Sequence, residues 1–181
     1  MLQFRKYIVV LAVLVLNLAP AARAHDFSVL LVSSEPTDSR AVYDGFRLAT
    51  KERDGHDNET SDGHLGGLDV RITQPGPGEF ALDLARSGGF DFVAIAGAAA
   101  LAEVFWGGDV VVVPVAEISD ALAAEFLRSS DFDARFRRDT GYAANLPARS
   151  GYVAARLIDR AVRRVGGVND RAALRAALSR N

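Results

Sequence analysis

The chain contains no cysteine among its 181 residues. Without cysteine the protein has no disulfide bond, no thiolate metal site and no thiol nucleophile. Its stability must then come from the burial of apolar side chains, and hydrophobic residues make up 49% of the sequence, which is enough for one core. We therefore expect a globular domain that is stabilised by its core alone.

Motifs for three common kinds of catalysis are also missing. The sequence has no Ser-His-Asp arrangement, no phosphate-binding glycine loop followed by lysine and no zinc-protease helix. Gly76 and Gly78 precede a predicted helix, but no basic residue follows them closely. Carboxylates are numerous but scattered over helix faces, which is typical of a solvated surface. We therefore predict a protein that is not an enzyme and that needs no cofactor.

Residues 1–24 have the pattern of a secretory signal peptide. Arg5 and Lys6 provide the charged start, residues 7–18 form an apolar run, and residues 22–24 read Ala-Arg-Ala. A membrane anchor is the alternative interpretation, but the apolar run is shorter than the ~20 residues that a spanning helix needs. We predict cleavage after Ala24, export to the periplasm, no membrane span after cleavage, and a single domain over residues 25–181.

The predicted mature chain is acidic. Its 157 residues hold 18 basic and 23 acidic side chains, a net charge of −5, because the signal segment removes three basic residues and no acidic one. No dense block of positive charge remains, so the sequence does not indicate a partner among nucleic acids.

Short apolar runs alternate with helical patterns along the mature chain. The first strand leads through a polar loop with Pro36 into a helix whose apolar stripe includes Val42 and Phe46. This alternation predicts an α/β fold, with three αβα layers around a mainly parallel sheet of about four strands, as in flavodoxin-like proteins. The predicted strands are 27–34, 68–73, 90–96 and 110–113; the predicted helices are 39–48, 79–87, 98–106, 119–127 with a continuation over 128–138, 150–165 and 171–179; and 54–67 is predicted to be a loop.

Several segments resemble the type I periplasmic solute-binding proteins, the branched-chain amino-acid receptors of ABC transporters. Residues 41–49, AVYDGFRLA, are similar to the first helix of that family, and residues 66–72, GGLDVRI, to the entry into its second strand. The other matching segments are 90–97, 110–114, 132–142, 151–157 and 170–178. The resemblance implies one lobe of the periplasmic-binding-protein type I fold and a non-catalytic role in solute transport.

The chain departs from that family in its length and in its ligand loops. Family members have two lobes, whereas this sequence passes from the fourth strand directly to the late helices. The family binds the charged end of an amino acid through a serine after the third strand and an Ala-Thr-like pair after the fourth. The corresponding positions here are 98–100, which are alanines, and 115–117, which read Val-Ala-Glu. Glu117 would repel a carboxylate but attract an amine or another cation.

Polar residues follow the predicted strands at the edge of the sheet where ligands bind in open α/β folds. They predict a shallow half-site for a small polar or cationic solute, which a partner protein or a second copy of the chain would have to close. The alternative is that Thr37 or Asp38, and also Ser119, are ordinary helix caps. The candidate ligand-binding residues are Ser33, Ser34, Glu35, Ala98, Glu117 and Ser119.

The three histidines suggest a second site. His25 would be the first residue after cleavage, and His56 and His64 lie in the polar loop before the second strand. The start of the first strand and that loop share the amino edge of the predicted sheet, so the three imidazoles are candidate ligands for zinc, copper or nickel. The alternative is a solvated loop that holds no metal, because no recognised metal-binding spacing is present.

Aromatic residues offer a third possibility, which is a protein partner. Trp106 either anchors such a partner in the periplasm or covers the core beside the glycines that follow it. Tyr142 and Tyr152 flank an irregular segment around Pro147, and we expect them to pack between helices. The sequence therefore predicts an exported accessory of an ABC-type transport system that binds a small polar solute, with protein interaction or metal handling as the alternative.

Overall fold

Strand β1, Phe27–Ser33, is the central strand of a five-stranded sheet in a computed structural model of the chain. The structure describes residues 26–33, 35–52, 61–75, 81–96, 110–115 and 119–180. The other strands are β2 (His64–Leu65), β3 (Leu68–Thr73), β4 (Phe92–Ala96) and β5 (Val111–Pro114). The helices are α1 (Ser39–Lys51), α2 (Ala81–Ser87), α3 (Asp120–Ser129), α4 (Phe132–Thr140), α5 (Leu146–Val165) and α6 (Arg171–Leu178), and a 3-10 turn at Pro36–Asp38 precedes α1.

The strand order is β2-β3-β1-β4-β5. β1 pairs in parallel with β3 on one side and with β4 on the other, and β4 pairs in parallel with β5. The short β2 runs antiparallel to β3. All five residues of β4 are buried, as expected for a parallel strand that is covered on both faces. The predicted α/β class is confirmed, with five strands instead of about four.

The additional strand lies inside segment 54–67, which the sequence predicts to be a loop. Gly66 and Gly67 have φ values of 66° and 83°, and they form the two-residue turn that folds β2 back onto β3. Asp159 on α5 accepts a hydrogen bond from the Gly66 N–H at 2.7 Å and so ties this turn to the helix layer. The prediction of a wholly irregular segment was wrong because the paired glycines permit a tight hairpin.

Helices cover both faces of the sheet. The larger core lies between one face and helices α1 and α3–α6, and it includes Phe46, Phe92 and Tyr152. On the opposite face, Leu30 and Val93 are buried in a smaller cluster together with residues of α2. The described residues therefore form the three αβα layers that the alternation of strands and helices predicts.

Helices α1 and α5 approach each other at two glycines. A Cβ atom built on Gly45 would lie 1.9 Å from the carbonyl oxygen of Ala148, and one built on Gly151 would lie 2.0 Å from the carbonyl oxygen of Val42. These contacts leave no space for a side chain, so the two helices pack backbone against backbone. The crossing ties α1, which follows the central strand, to the 20-residue α5.

The predicted continuation of the helix over residues 128–138 was wrong. Ser130 and Asp131 separate α3 from α4, and Asp131 has a left-handed φ of 52°. α4 is therefore a separate helix, and its Phe132 and Phe136 both enter the larger core.

The predicted start of α5 after Ser150 was also wrong. The helix begins at Leu146, because Asn145 Oδ1 accepts a hydrogen bond from the Ala148 N–H at 3.0 Å and caps the first turn. Pro147 fits in this first turn because the backbone N–H that it lacks would have no partner inside the helix.

Some predicted features lie outside the described residues, namely the signal segment 1–24, the helix over 98–106 and Trp106 within it. Within the described ranges, no helix combines the length and the apolar character that crossing a bilayer requires.

Candidate functional site

The direction in which strands are added to the sheet reverses at β1. From β1 the chain moves to β3 on one side, and then to β4 on the other side of β1. In sheets of this order the loops after the two central strands lead away from each other, and ligands bind in the crevice between those loops. Ser33 ends β1 and Ala96 ends β4, and the two residues are paired in register. The carboxyl ends of β1 and β4 are therefore the candidate site.

Hydroxyl groups fix the path of the chain from β1 into α1. Ser33 Oγ donates a hydrogen bond to the Glu35 carbonyl at 2.8 Å and lies 2.8 Å from Ser39 Oγ. Because the Ser33 proton is directed at Glu35, Ser39 is the donor in the second contact. The Asp38 N–H also donates to the Glu35 carbonyl, at 3.0 Å, and closes the 3-10 turn. These bonds tie the start of α1 to the end of β1.

Gln74, directly after β3, reaches the same place. Its Nε2 donates to the Ser39 carbonyl at 2.7 Å. The Ser33 and Ser39 hydroxyls and the Gln74 amide thus form a neutral polar group at the carboxyl edge, and the Glu35 side chain beside them is exposed. Hydroxyl and amide groups bind polar solutes through hydrogen bonds, and the nearby carboxylate favours a ligand that carries an amine.

The basic residue nearest in sequence to this polar group is Arg40, and its ion-pair partner is Asp44. The Arg40 side chain is 85% exposed, and its Nε lies 3.7 Å from Asp44 one turn along α1. An exposed pair of this kind contributes little to stability. It also gives the edge no fixed positive charge that would hold a carboxylate.

The structure places two of the six predicted ligand residues at this edge. Ser33 and Glu35 are joined there by a hydrogen bond. The other predicted residues of the strand-end loops, Ser34, Ala98 and Glu117, lie outside the described residues. Their role in ligand binding stays a prediction.

The sixth residue, Ser119, acts as a helix cap. Its Oγ accepts a hydrogen bond from the Leu122 N–H at 3.3 Å at the start of α3. Asp38 occupies the equivalent position before α1, but its side chain makes no capping hydrogen bond. The capping interpretation is therefore confirmed for Ser119, whereas α1 begins without a side-chain cap from Asp38.

Sequence reasoning missed Ser39 and Gln74. Both are polar residues at the ends of correctly predicted elements, since Ser39 opens α1 and Gln74 follows β3. The strand order brings the end of β3 beside the end of β1, and that order cannot be read from one sequence. A rule that considered every polar residue within two positions of a predicted strand end would have found Gln74.

His64 is placed in β2, opposite Asp69 of β3. Its Nε2 lies 2.7 Å from Asp69 Oδ1, so the imidazole and the carboxylate form a polar pair across the hairpin. Among the described residues, His, Asp and Glu side chains do not gather in a group of three, the number a metal site needs. His25 and His56 lie outside the described residues, and the proposed metal site with His64 stays a prediction.

A second polar cluster joins α1, α4 and α5. The Glu52 side chain, which is 6% exposed, directly follows α1 and lies between Arg135 and Arg156. Its Oε1 is 2.9 Å from Arg135 Nη1, its Oε2 is 3.2 Å from Arg156 Nη1, and the Tyr152 hydroxyl donates to it at 2.9 Å. These four side chains are called the Glu52 cluster below. Sequence spacing gave no signal for it, because its members come from three helical segments.

The tyrosines pack between helices, as predicted from the sequence. The Tyr152 ring lies 4.8 Å from that of Phe132, and the Tyr142 ring lies 5.1 Å from that of Phe136. Burial raises the pKa of the Tyr152 hydroxyl above its usual value, and the charge of Glu52 adds to this shift. Burial and a hydrogen bond to Asp44 together raise the pKa of Tyr142 to about 12.

Comparisons of the chain with protein-family models, with curated proteins and with solved structures returned no match. What the described residues establish is an α/β domain with a five-stranded, mostly parallel sheet and a polar group of Ser33, Ser39 and Gln74 at the carboxyl ends of β1 and β3.

Proposed function

We propose that the protein is an exported, non-catalytic binder of a small polar solute and corresponds to one lobe of a type I solute-binding protein. The observation that carries the proposal is the strand order, with the reversal point at the carboxyl ends of β1 and β4. That edge is where ligands bind in sheets of this kind. The resemblance of segments 41–49 and 66–72 to the solute-binding family also supports solute binding at this edge of the sheet.

The chemistry of the edge favours polar solutes that carry an amine. Ser33, Ser39 and Gln74 offer hydroxyl and amide groups, and the Glu35 carboxylate is exposed beside them. A carboxylate at this place attracts an ammonium group and repels an acid. Glu117, predicted at the neighbouring loop, would add to this preference.

A single edge leaves one side of a bound solute in contact with water. Hydrogen bonds to a half-exposed ligand compete with water and contribute about 0.5–1.5 kcal/mol each. We therefore expect weak binding by the chain alone, with a dissociation constant in the micromolar to millimolar range. A second copy or a transport component that covers the edge would strengthen the binding.

A thermal-unfolding screen tests this proposal. The mature protein is heated with members of a library of amino acids, amines, polyols and organic acids. A true ligand at ~100 times its dissociation constant stabilises the folded state by about 2.7 kcal/mol, which raises the melting temperature by several degrees. We expect amine-bearing polar compounds to give the shift, and organic acids to give none.

Matched serine variants locate the site. Ser39→Ala removes a hydroxyl at the edge and should weaken binding several-fold, because one hydrogen bond is lost. Ser129→Ala is the control, since the Ser129 hydroxyl bonds the Phe126 carbonyl at the far end of α3. Equal affinity in both variants would show that the solute binds elsewhere, and a screen without any shift would remove the proposal.

A further inference from the structure

We propose a second binding site, for a small oxyanion of the phosphate class, at the Glu52 cluster. The side chains of Arg135, Arg156 and Glu52 meet there. Most N–H donors of the two guanidinium groups make no hydrogen bond to a residue that the structure describes. The ligand class includes inorganic phosphate and phosphate monoesters.

The cluster carries one positive charge more than its ion pairs neutralise. Arg135 and Arg156 both form an ion pair with Glu52, and neither arginine forms an ion pair with any other described residue. Arg156 is 17% exposed and Arg135 is 33% exposed, so much of this surplus charge is shielded from water. Buried charge is costly unless it is matched by an opposite charge. The cluster therefore favours an additional anion.

Hydrogen-bond donors in the cluster are left over as well. A guanidinium group has five N–H donors in a flat fork. Toward Glu52, Arg135 and Arg156 each use the Nη1 atom, and Arg156 Nε is buried without a partner among the described residues. The two guanidinium groups lie on the two oxygens of a single carboxylate, so they are close enough to donate to the same small anion.

Aromatic packing holds one of these donors in position. The Arg156 guanidinium lies 5.7 Å from the centre of the Phe126 ring and 6.0 Å from that of Tyr152. An arginine that is fixed between aromatic rings loses less conformational entropy when it binds a ligand. The Tyr152 hydroxyl donates to Glu52 and so helps to hold the carboxylate between the two arginines.

Oxyanions with several equivalent oxygens fit this arrangement. Phosphate accepts bonds from two arginines at once, and arginine forks match its geometry. The cluster lies at the opposite end of α1 from Ser39. For the 13 residues of α1, a rise of about 1.5 Å per residue puts the two sites roughly 20 Å apart. The phosphate site is thus independent of the solute site proposed above.

Phosphate titration at constant ionic strength tests the proposal. The mature protein is titrated with inorganic phosphate, while chloride is lowered to keep the ionic strength fixed, and binding is followed by calorimetry and melting temperature. We expect saturable binding and a matching rise in melting temperature. Glycerol phosphate forms a second arm, which distinguishes a preference for the free ion from a preference for an ester.

Paired arginine variants locate the site. Arg135→Gln should weaken phosphate binding about tenfold or more, because a hydrogen bond to a charged group is lost. Arg137→Gln, on the exposed face of the same helix, removes the same charge two residues away and should change the affinity less than about twofold. A non-saturable response to phosphate, or an equal loss in both variants, would overturn the site.

Glu52→Gln provides a test with the opposite sign. It keeps the shape of the side chain but removes the internal anion, so the local surplus rises from one positive charge to two. The variant should have a lower melting temperature without phosphate and should bind phosphate more tightly than the unmodified protein. If Glu52→Gln binds phosphate no better than the unmodified protein, the arginines are purely structural partners of Glu52 and the proposal is wrong. Should Arg135→Gln fail to fold, this variant decides the matter alone.

Discussion

At Gly151 the helical backbone would suit alanine, but the surrounding space would not. Alanine in a helix interior is favoured over glycine by about 1 kcal/mol. The added Cβ would lie 2.0 Å from the Val42 carbonyl oxygen, and a backbone atom cannot move aside as a side-chain end can. We therefore predict that Gly151→Ala lowers the free energy of unfolding by about 2 kcal/mol or more, which urea denaturation can measure.

A control is available at Gly141, where an added Cβ atom would meet nothing within 4 Å and only the backbone conformation, φ 81°, opposes a side chain. Gly141→Ala should cost about 1 kcal/mol from that conformation alone. The explanation by helix crossing fails if Gly151→Ala is as mild as Gly141→Ala, or if it stabilises the protein.

Asp131 is the described residue other than glycine that has a positive φ. Its side chain is exposed, so substitutions there report on backbone strain with little change in packing. We predict that Asp131→Gly raises the free energy of unfolding by about 0.5–1 kcal/mol, because glycine adopts this conformation freely. Asp131→Val should lower it, since a β-branched residue is strongly disfavoured there. Chemical denaturation of both variants measures the two signs, and a shared sign would contradict the strain argument.

At the scale of the element, the start of α5 is decided by one amide side chain. Asn145→Ala removes the cap on the Ala148 N–H and should destabilise the protein by about 1 kcal/mol. Ser150→Ala is the matched control, because Ser150 lies inside the helix and should tolerate alanine with a change below about 0.5 kcal/mol. Melting temperatures of the two variants show which residue caps the helix. A larger loss of stability in Ser150→Ala would contradict the cap at Asn145 and favour the helix start at Ser150 that the sequence predicted.

The element boundaries show which information is local. The alternative interpretation of Ser119 as a cap could be drawn from the sequence because a cap is formed within three residues of the chain. The two-residue β2 was missed because it is stable only when paired with β3 and tied to Asp159, 93 residues from Gly66. Patterns within a window of ten residues predict a strand or a helix, but they do not include a contact at that distance.

At the scale of the whole molecule, the tyrosines link stability to alkaline pH. The pKa of Tyr142 is raised to about 12, first by burial and then by its hydrogen bond to Asp44. A raised pKa means that the folded state favours the protonated phenol, so this contribution to stability is complete below pH 10 and is lost as the pH rises towards 12. We predict that the free energy of unfolding falls over this range, and that Tyr142→Phe makes the fall shallower.

Denaturant titrations at several pH values between 8 and 11.5 provide that measurement. Absorbance of the phenolate gives an independent reading of the same titration. The pKa of Tyr43 is also raised, mainly by burial, and Tyr43→Phe is therefore a useful comparison. A fall in stability that is identical in the unmodified protein and in Tyr142→Phe would assign the effect to other groups.

The outer side of β5 is poorly suited to pairing with a further strand. The Val111 N–H bonds the Asp91 carbonyl, so in the alternation of a parallel strand the next outward N–H belongs to Val112. Two residues further, Pro114 has no N–H, and Arg175 Nη2 already donates to the Val110 carbonyl at 3.2 Å. Among the described residues of this side, β5 therefore offers few backbone groups with which a partner strand could pair.

The sequence predicted the α/β class, four of the five strands and one end of the candidate site. Ser33 and Glu35 were found because they directly follow a strongly apolar strand. Gln74 was not found because its contact with Ser39, 35 positions away, depends on the strand order. The Glu52 cluster was not found because it depends on helix packing between residues as far apart as Glu52 and Arg156, which are separated by 104 positions. Such placement is set by packing of the whole core, which no local pattern encodes.

The glycine crossing also determines how α1 can move. Gly45 is the middle residue of Ser39–Lys51, so α1 touches α5 at the midpoint of its length. A second backbone contact lies about one turn away, where the Val42 carbonyl oxygen meets Gly151. Backbone atoms that interlock at two successive positions resist both sliding along the helix axis and tilting about one point. We therefore expect α1 and α5 to move as one unit.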